Sequence, residues 1–277
     1  MVAACRAGDR RYLFVTGGAS GIGRATARLF CERGWFVGAY DVDEEGLASR
    51  ALELGSENCL TRRLDVCDKA DFDRAMEEFA AATGGRLDLL FNNAGIGAGG
   101  WFEDVPYDVS MRVLQVNFIG VVNGVYAALP LLARTPNFLC FSTASSAAIY
   151  GMPRAAIYAA SKFAIRGLTE ALAVEFARFG GRAADVLPAL IDTPILDATL
   201  DYSNGERPGV AMRESATPDG AMRLMQPEDV AACVWEAYGA DRVHWFVPAE
   251  MENIDRARAG GVEPLRDQFK KTVLGGD

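Results

Sequence analysis

One histidine, His244, stands in 277 residues. Its scarcity leaves neither a multi-histidine metal centre nor a Ser-His-Asp triad built around an upstream histidine well supplied. No metal is expected, and His244, inside the apolar run 243–247, reads as a strand residue. The six cysteines form no CxxC pair. Several fall in apolar patterns, where a thiol is a small hydrophobe, so buried free thiols are expected. Lys and Arg are not clustered, and the net charge of −9 gives no electrostatic footprint for nucleic acid or an anionic membrane. Residues 1–11 lack the apolar core of an export signal. The longest apolar run, 118–133, is short for a bilayer span and contains Asn123. Repeats and low-complexity tracts are missing too. These absences describe a soluble, cytoplasmic protein that engages neither nucleic acid nor a membrane.

What is present is alternation. Half the residues are apolar, enough for a sizeable core. Short β-branched or apolar runs at 12–16, 36–40, 58–63, 87–92, 138–142, 184–187 and 243–247 alternate with helical patterns. The helical patterns are near 22–33, 44–54, 69–82, 107–129, 155–179 and 227–238. Such a sequence predicts an α/β fold: a Rossmann-like, doubly wound parallel sheet of about seven strands with helices on both faces. One domain, 1–277, accounts for all of it. The stretch 192–226, rich in Pro and Gly, reads as a long loop of the functional or mobile kind, and the tail after Pro248 as weakly specified.

After the first strand comes Thr16-Gly17-Gly18-Ala19-Ser20-Gly21-Ile22-Gly23, leading into a helix. Glycines at such a turn allow a tight bend and a close approach of backbone to a pyrophosphate, with the helix N-terminus facing the anion. By itself the turn is also compatible with an ordinary strand-to-helix connection. The second strand ends at Asp41, 18 residues beyond Gly23. A carboxylate there accepts hydrogen bonds from an adenosine ribose and repels a 2′-phosphate, which favours NAD over NADP. Asp41 could instead cap the next helix, although Asp43 is available for that task.

With these residues in view the chain resembles the short-chain dehydrogenases/reductases, in the single-domain branch with a TGxxxGxG turn. The likeness runs from Tyr12 to about Pro194. It includes Asp65-Val66, Asn92-Asn93-Ala94-Gly95, Asn117, Ser145 and Tyr158-Ala-Ala-Ser-Lys162. A YxxxK pair alone is common, but here it stands 13 residues after a serine and downstream of both glycine-containing motifs. The resemblance implies an oxidoreductase with a catalytic set of Asn117, Ser145, Tyr158 and Lys162. It also implies that Gly17, Ser20, Gly21, Ile22 and Gly23 approach the pyrophosphate and that Asp65 and Val66 line the adenine. Asn93, Ala94 and Gly95 would flank the adenosine, and Pro188 and Thr193 the nicotinamide amide. Lys162 would further hydrogen-bond the nicotinamide ribose, and Asn117 would hold a proton-relaying water.

The chemistry fits that spacing. Tyr158 and Lys162 are i and i+4 on one helix and share a face. A free tyrosine titrates near 10, and bringing it near 7 requires about 4 kcal/mol of preferential stabilisation of the phenolate. A neighbouring ammonium and the positive ring of an oxidised nicotinamide are suitable sources. Tyr158 then serves as general base for alcohol oxidation or general acid for carbonyl reduction. Ser145 would donate to the substrate oxygen where charge develops. Taken singly, each residue has an ordinary alternative as a helix or turn residue.

Two features depart from the family pattern. Pro188 is followed by Ala189 where glycine is common, and if that position required positive φ the alanine would be strained by about 1 kcal/mol. A glycine-rich ending after the last strand is also missing, which weakens any inference of the family's common tetramer. The substrate is expected over Tyr158 and Ser145, against Ile96, Trp101, Ile149, Tyr150, Met152, Ile195 and Leu196. That mostly apolar set predicts a neutral, fairly apolar ketone or secondary alcohol. The long apolar helices 107–129 and 155–179 predict a homodimer or homotetramer. Two other readings stand beside this one: an NADP-dependent carbonyl reductase, and a catalytically idle NAD-binding regulator or scaffold.

Overall fold

The structure is a computed structural model, which describes residues 10–203, 207, 208, 213 and 216–274. Along β1 (Tyr12–Thr16) successive side chains must point to opposite faces. Both faces are buried here, Leu13 and Val15 on one side and Phe14 on the other. A strand apolar on both faces belongs in a parallel sheet covered twice by helices. Six further strands complete it: β2 (Phe36–Asp41), β3 (Cys59–Arg63), β4 (Leu89–Asn92), β6 (Leu139–Thr143), β7 (Arg182–Pro188) and β10 (His244–Val247). They lie in the order β3-β2-β1-β4-β6-β7-β10, every pair parallel.

Helices α1 (Gly21–Glu32) and α8 (Pro227–Tyr238) cover one face, where Phe30, Val230 and Val234 pack with Trp35, Val37 and Val186. On the other face α3 (Lys69–Thr83) and α5 (Gly120–Leu132) bring Phe72, Phe79, Leu131 and Leu132 against Phe14, Tyr40 and Leu90. The Phe14 and Tyr40 rings stack at 3.9 Å. Each such side chain contributes roughly 1.5–3 kcal/mol when fully buried. The chain leaves β1 in one direction and β4 in the other. Their carboxyl ends therefore part at a topological switch point, where open α/β sheets form a crevice.

Expectation and structure differ in four places. The helix expected over 107–129 runs on to Leu132 and is interrupted: α4 (Tyr107–Leu114) passes through a π-helical turn, Gln115–Ile119, into α5. Tyr107–Leu132 is long and apolar enough to cross a bilayer, but more than half of its most apolar window is buried against the protein. Of the stretch 192–226, residues 204–206, 209–212, 214 and 215 lie outside the described residues, and the rest is more than a loop. It contains α7 (Pro194–Ala198) and a small second sheet in which β8 (Leu200–Asp201) pairs with β5 (Ala98–Gly99) and with β9 (Arg207–Pro208).

The tail is also structured. After β10 come α9 (Met251–Arg258) and α10 (Glu263–Leu274), and Met251, Ile254, Leu265 and Phe269 pack on Ile149, Tyr150 and Leu187. Their helical spacing is legible, but it is diluted among charges and glycines. Helix α6 (Ala156–Glu175) is joined to this tail by Arg166, which makes a bidentate pair with Asp255 at 2.6 and 2.9 Å. The same guanidinium donates to the Ala148 carbonyl at 3.3 Å. Finally, Ala189 carries no positive φ. Its N–H donates to the Val247 carbonyl at 2.8 Å, so the backbone accommodates alanine without the anticipated strain.

Candidate active site

The strand ends open into a cleft of about 660 Å³. At one end the wall is the glycine turn. Gly17 and Gly21 have φ of +66° and +50°, a region that L-residues rarely adopt. A Cβ on Gly23 would lie 2.0 Å from the Gly17 carbonyl oxygen, so helix and turn meet with no room for a side chain. Gly23 itself is behind the cleft surface, while Gly17, Ser20, Gly21 and Ile22 line it. Ser20 is the N-cap of α1 but makes no side-chain cap bond, and the first turn has no acidic residue. Its unsatisfied N–H groups and positive dipole end suit a pyrophosphate.

Asp41 lines the same end. It is held by backbone amides: Ala19 N–H donates to Oδ2 at 3.1 Å and Asp43 N–H to Oδ1 at 3.2 Å. The helix-cap alternative falls to Asp43, which accepts from Gly46 N–H at 3.0 Å. Asp65 and Val66 follow along the wall, with Arg112 3.4 Å from the Asp65 carboxylate. Asn93, Ala94 and Gly95 also line the cleft. The Asn93 amide is a brace: Nδ2 donates to the Thr16 carbonyl at 3.1 Å, and Oδ1 accepts from the Thr143 hydroxyl at 3.0 Å. A single side chain thus ties together the ends of β1, β4 and β6.

Ser145, Tyr158 and Lys162 converge at the middle of the cleft. Ser145 opens a short 3-10 turn, Ser146–Ala148, where Ala147 N–H donates to its Oγ at 3.1 Å. The serine hydroxyl, which accepts that bond, faces Tyr158 across the cleft. Burial pushes the Tyr158 phenol above its ordinary value, opposed by its hydrogen bond with Ser145. Lys162 is buried and lies 5.7 Å from the Tyr158 ring centre, its Nζ donating to the Thr143 carbonyl at 2.8 Å. Burial lowers it to about 7. Burial thus acts in opposite directions on the two groups, raising the phenol and lowering the ammonium.

Asn117 is wholly buried on the π-helical turn, behind the cleft surface. Its Oδ1 accepts from Ile96 N–H at 2.9 Å, while Nδ2 donates to the Ile96 carbonyl at 3.0 Å and to Ser161 Oγ at 3.2 Å. Ser161 in turn donates to the Tyr158 carbonyl at 2.6 Å. π-Turns recur at functional sites because one extra residue per turn re-aims a side chain. This one couples the loop after β4 to the first turn of α6. Sequence reasoning missed Thr16, Thr143 and Ser161 in these roles, although Ser161 stands inside the YxxSK motif.

At the far end the wall consists of Ile96, Met152, Ile195 and Leu196, with Pro188 and Thr193 toward the middle. Ile149 does not join them. The 3-10 turn carries it into the core, fully buried among Val121, Leu187 and Met251. Tyr150 packs there too, against Phe269 at 5.1 Å, and Trp101 stands on the rim outside the lining. Arg154 and Asp201 line this end and were not foreseen. His244 lies away from the cleft as a strand residue, its ring nitrogens 2.8 Å from Asp185 and 3.2 Å from Glu170.

A family profile described as short chain dehydrogenase matches residues 11–202. L-2,3-butanediol dehydrogenase of Corynebacterium glutamicum is 34% identical over 233 residues, covering 79% of this chain and 88% of that protein. Levodione reductase of Leifsonia aquatica is 33% identical, covering 81% and 85%. Among solved structures, a short chain dehydrogenase/reductase from Burkholderia phymatum in complex with NAD superposes with a TM-score of 0.79. It is 28% identical and covers 93% of this chain and 95% of that one. The matched profile spans the glycine turn, the braced strand ends and the Ser145–Tyr158–Lys162 cluster, and the chain belongs to the short-chain dehydrogenases, as an oxidoreductase that uses a nicotinamide cofactor.

Proposed function

We propose that the protein is an NAD-dependent dehydrogenase interconverting a secondary alcohol and a ketone on a neutral, fairly apolar small molecule, within one domain. The observation that carries this reading is the meeting of Ser145, Tyr158 and Lys162 at the centre of a cleft with a glycine cradle at one end and an apolar wall at the other. When bound, the nicotinamide supplies the hydride acceptor or donor and, oxidised, a positive ring beside the phenol. Tyr158 takes the alcohol proton in one direction and returns it in the other. Ser145 donates a hydrogen bond to the substrate oxygen. Lys162 orients the ribose, and Asn117 fixes the loop and the first turn of α6 that frame the relay to solvent.

The preference for NAD rests on Asp41, whose carboxylate is pinned toward the cleft and would repel a 2′-phosphate. The neutrality of the substrate rests on a far wall whose charged pair, Arg154 and Asp201, is mutually compensated. Cys31, Cys59, Cys67, Cys140 and Cys233 are free, which accords with a cytoplasmic location. Tyr107, Tyr126 and Val174 are large apolar residues exposed on α4, α5 and α6, as a homo-oligomer formed through those helices requires.

The test is a panel of secondary alcohols and ketones followed by reduced-nicotinamide absorbance, with Tyr158→Phe beside the wild type. Turnover of neutral members is expected, lost by about 10²–10⁴-fold in the variant while NADH binding persists. Turnover of anionic members alone, or an unchanged rate in the variant, overturns the reading. A dimer or tetramer by light scattering at micromolar concentration is expected.

A further inference from the structure

Three chain segments wall the substrate end: the strip beginning at Ile96, the turn 152–155, and the stretch from Ile195 to Asp201. Two-residue strands, β5 and β8, pair the first with the third. They approach so closely at Gly97 that a Cβ there would meet Thr199 Oγ1 at 2.3 Å. Arg154 touches both of these segments.

Arg154 holds φ of +63°, one of two non-glycine residues with positive φ among the described residues. Such a conformation persists where surrounding structure fixes it. Here the backbone and the side chain are both engaged. The Arg154 carbonyl accepts from Gly100 N–H at 2.8 Å. Its guanidinium donates to Asp201 Oδ2 at 2.6 Å and to Ser203 Oγ at 3.0 Å, and lies 5.8 Å from the Trp101 ring centre. The contacts interlock: Ser203 Oγ also accepts from Trp101 N–H at 3.3 Å, Asp201 Oδ1 accepts from Ser203 N–H at 2.9 Å, and Tyr202 N–H donates to the Gly99 carbonyl at 2.9 Å.

We propose that Arg154 is a positioning residue for the substrate: through its ion pair with Asp201 it registers the 200–203 wall against the 98–101 wall and both against Tyr158. Arg154 stands four residues before Tyr158, at the entry to α6. The walls are therefore referenced to the segment that carries the phenol. Because both partners are part-exposed, the fastening is electrostatic and open to screening by salt. This role rests on the reading that this end of the cleft takes the substrate.

Hydrogen–deuterium exchange on the full chain with NAD present tests the fastening without a known substrate. Asp201→Asn and Arg154→Ala are each expected to speed exchange at the Tyr202 and Ser203 amides about fivefold, leaving the β6 amides unchanged. Raising NaCl from about 0.05 M to about 0.5 M should speed the same amides in the wild type and not in the variants. Arg154→Lys, which keeps the charge, should recover part of the protection. With butane-2,3-dione and NADH, KM should rise several-fold in both variants while kcat stays within about twofold, since positioning is lost and the phenol is not. Unchanged exchange in both variants, or exchange indifferent to salt in the wild type, overturns the role of Arg154 whether or not a ketone is turned over. Failure of every ketone to react instead overturns the functional reading and leaves the exchange result standing.

Discussion

The two ends of the cleft are built by different means. At the cofactor end the wall is backbone: a turn with two glycines at positive φ, helix N–H groups without side-chain caps, and a carboxylate pinned by the Ala19 and Asp43 amides. At the substrate end the wall is side chains on short segments, joined by two-residue strands and an ion pair. Backbone walls tolerate almost no substitution, because a Cβ has nowhere to go. Side-chain walls exchange one apolar group for another at modest cost. On the proposed reading, the first arrangement would fix the cofactor and the second would let the substrate vary.

The sharpest way to break this contrast is Gly23→Ala. Its Cβ would fall 2.0 Å from the Gly17 carbonyl oxygen, so the turn must open. NADH affinity should weaken by about 10–100-fold, the equivalent of ~1–3 kcal/mol of overpacking. Fluorescence titration checks it, and an unaltered Kd would mean that the turn is not the cradle. Next in size, Asp41→Ala should shift the ratio of NAD to NADP affinity by about tenfold toward NADP, about 1.4 kcal/mol of lost discrimination. Parallel titrations with the two cofactors measure it.

At the other end, Leu196→Ala should change the relative kcat/KM for bulkier against smaller ketones by a few-fold to about tenfold, the worth of a few methylenes. NADH binding should not move. A separate test concerns stability rather than binding or rate. Lys162 titrates at about 7 in the folded protein against 10.5 ordinarily, because burial disfavours its charge. Between those values the unfolded chain holds the extra proton, so this group makes stability rise with pH from about 7 upward and contributes a constant penalty below. Cofactor-free wild type should gain melting temperature relative to Lys162→Met across that window; a constant difference between the two would contradict it.

The same contrast explains how much of the molecule was legible beforehand. All seven main strands and the six expected helices announce themselves by period, because burial on both sheet faces forces apolar residues at fixed intervals. The glycine turn and Asp41 were readable from their places after the first two strands, and the Ser145–Tyr158–Lys162 set from the family resemblance. Ile149 and Arg154 were not. The inward turn of Ile149 depends on three residues of 3-10 helix, and an apolar residue near a site looks the same whether it lines a wall or fills the core. The partner of Arg154 lies 47 residues away, on a strand two residues long. The tail after Pro248 was missed because Met251, Ile254, Leu265 and Phe269 are separated by charged residues, and their burial comes from the shape of the body they meet.

That tail has a practical consequence. Arg166 grips Asp255 on α9 with one hand and the Ala148 carbonyl beside the Ser145 turn with the other, while Phe269 leans on Tyr150. A cut near Gly260, or a bulky fusion placed behind α10, is expected to disturb the Ser145 turn without altering any residue of the cleft. The turn that carries Ser145 is thus braced from behind by helices that line no part of the cleft.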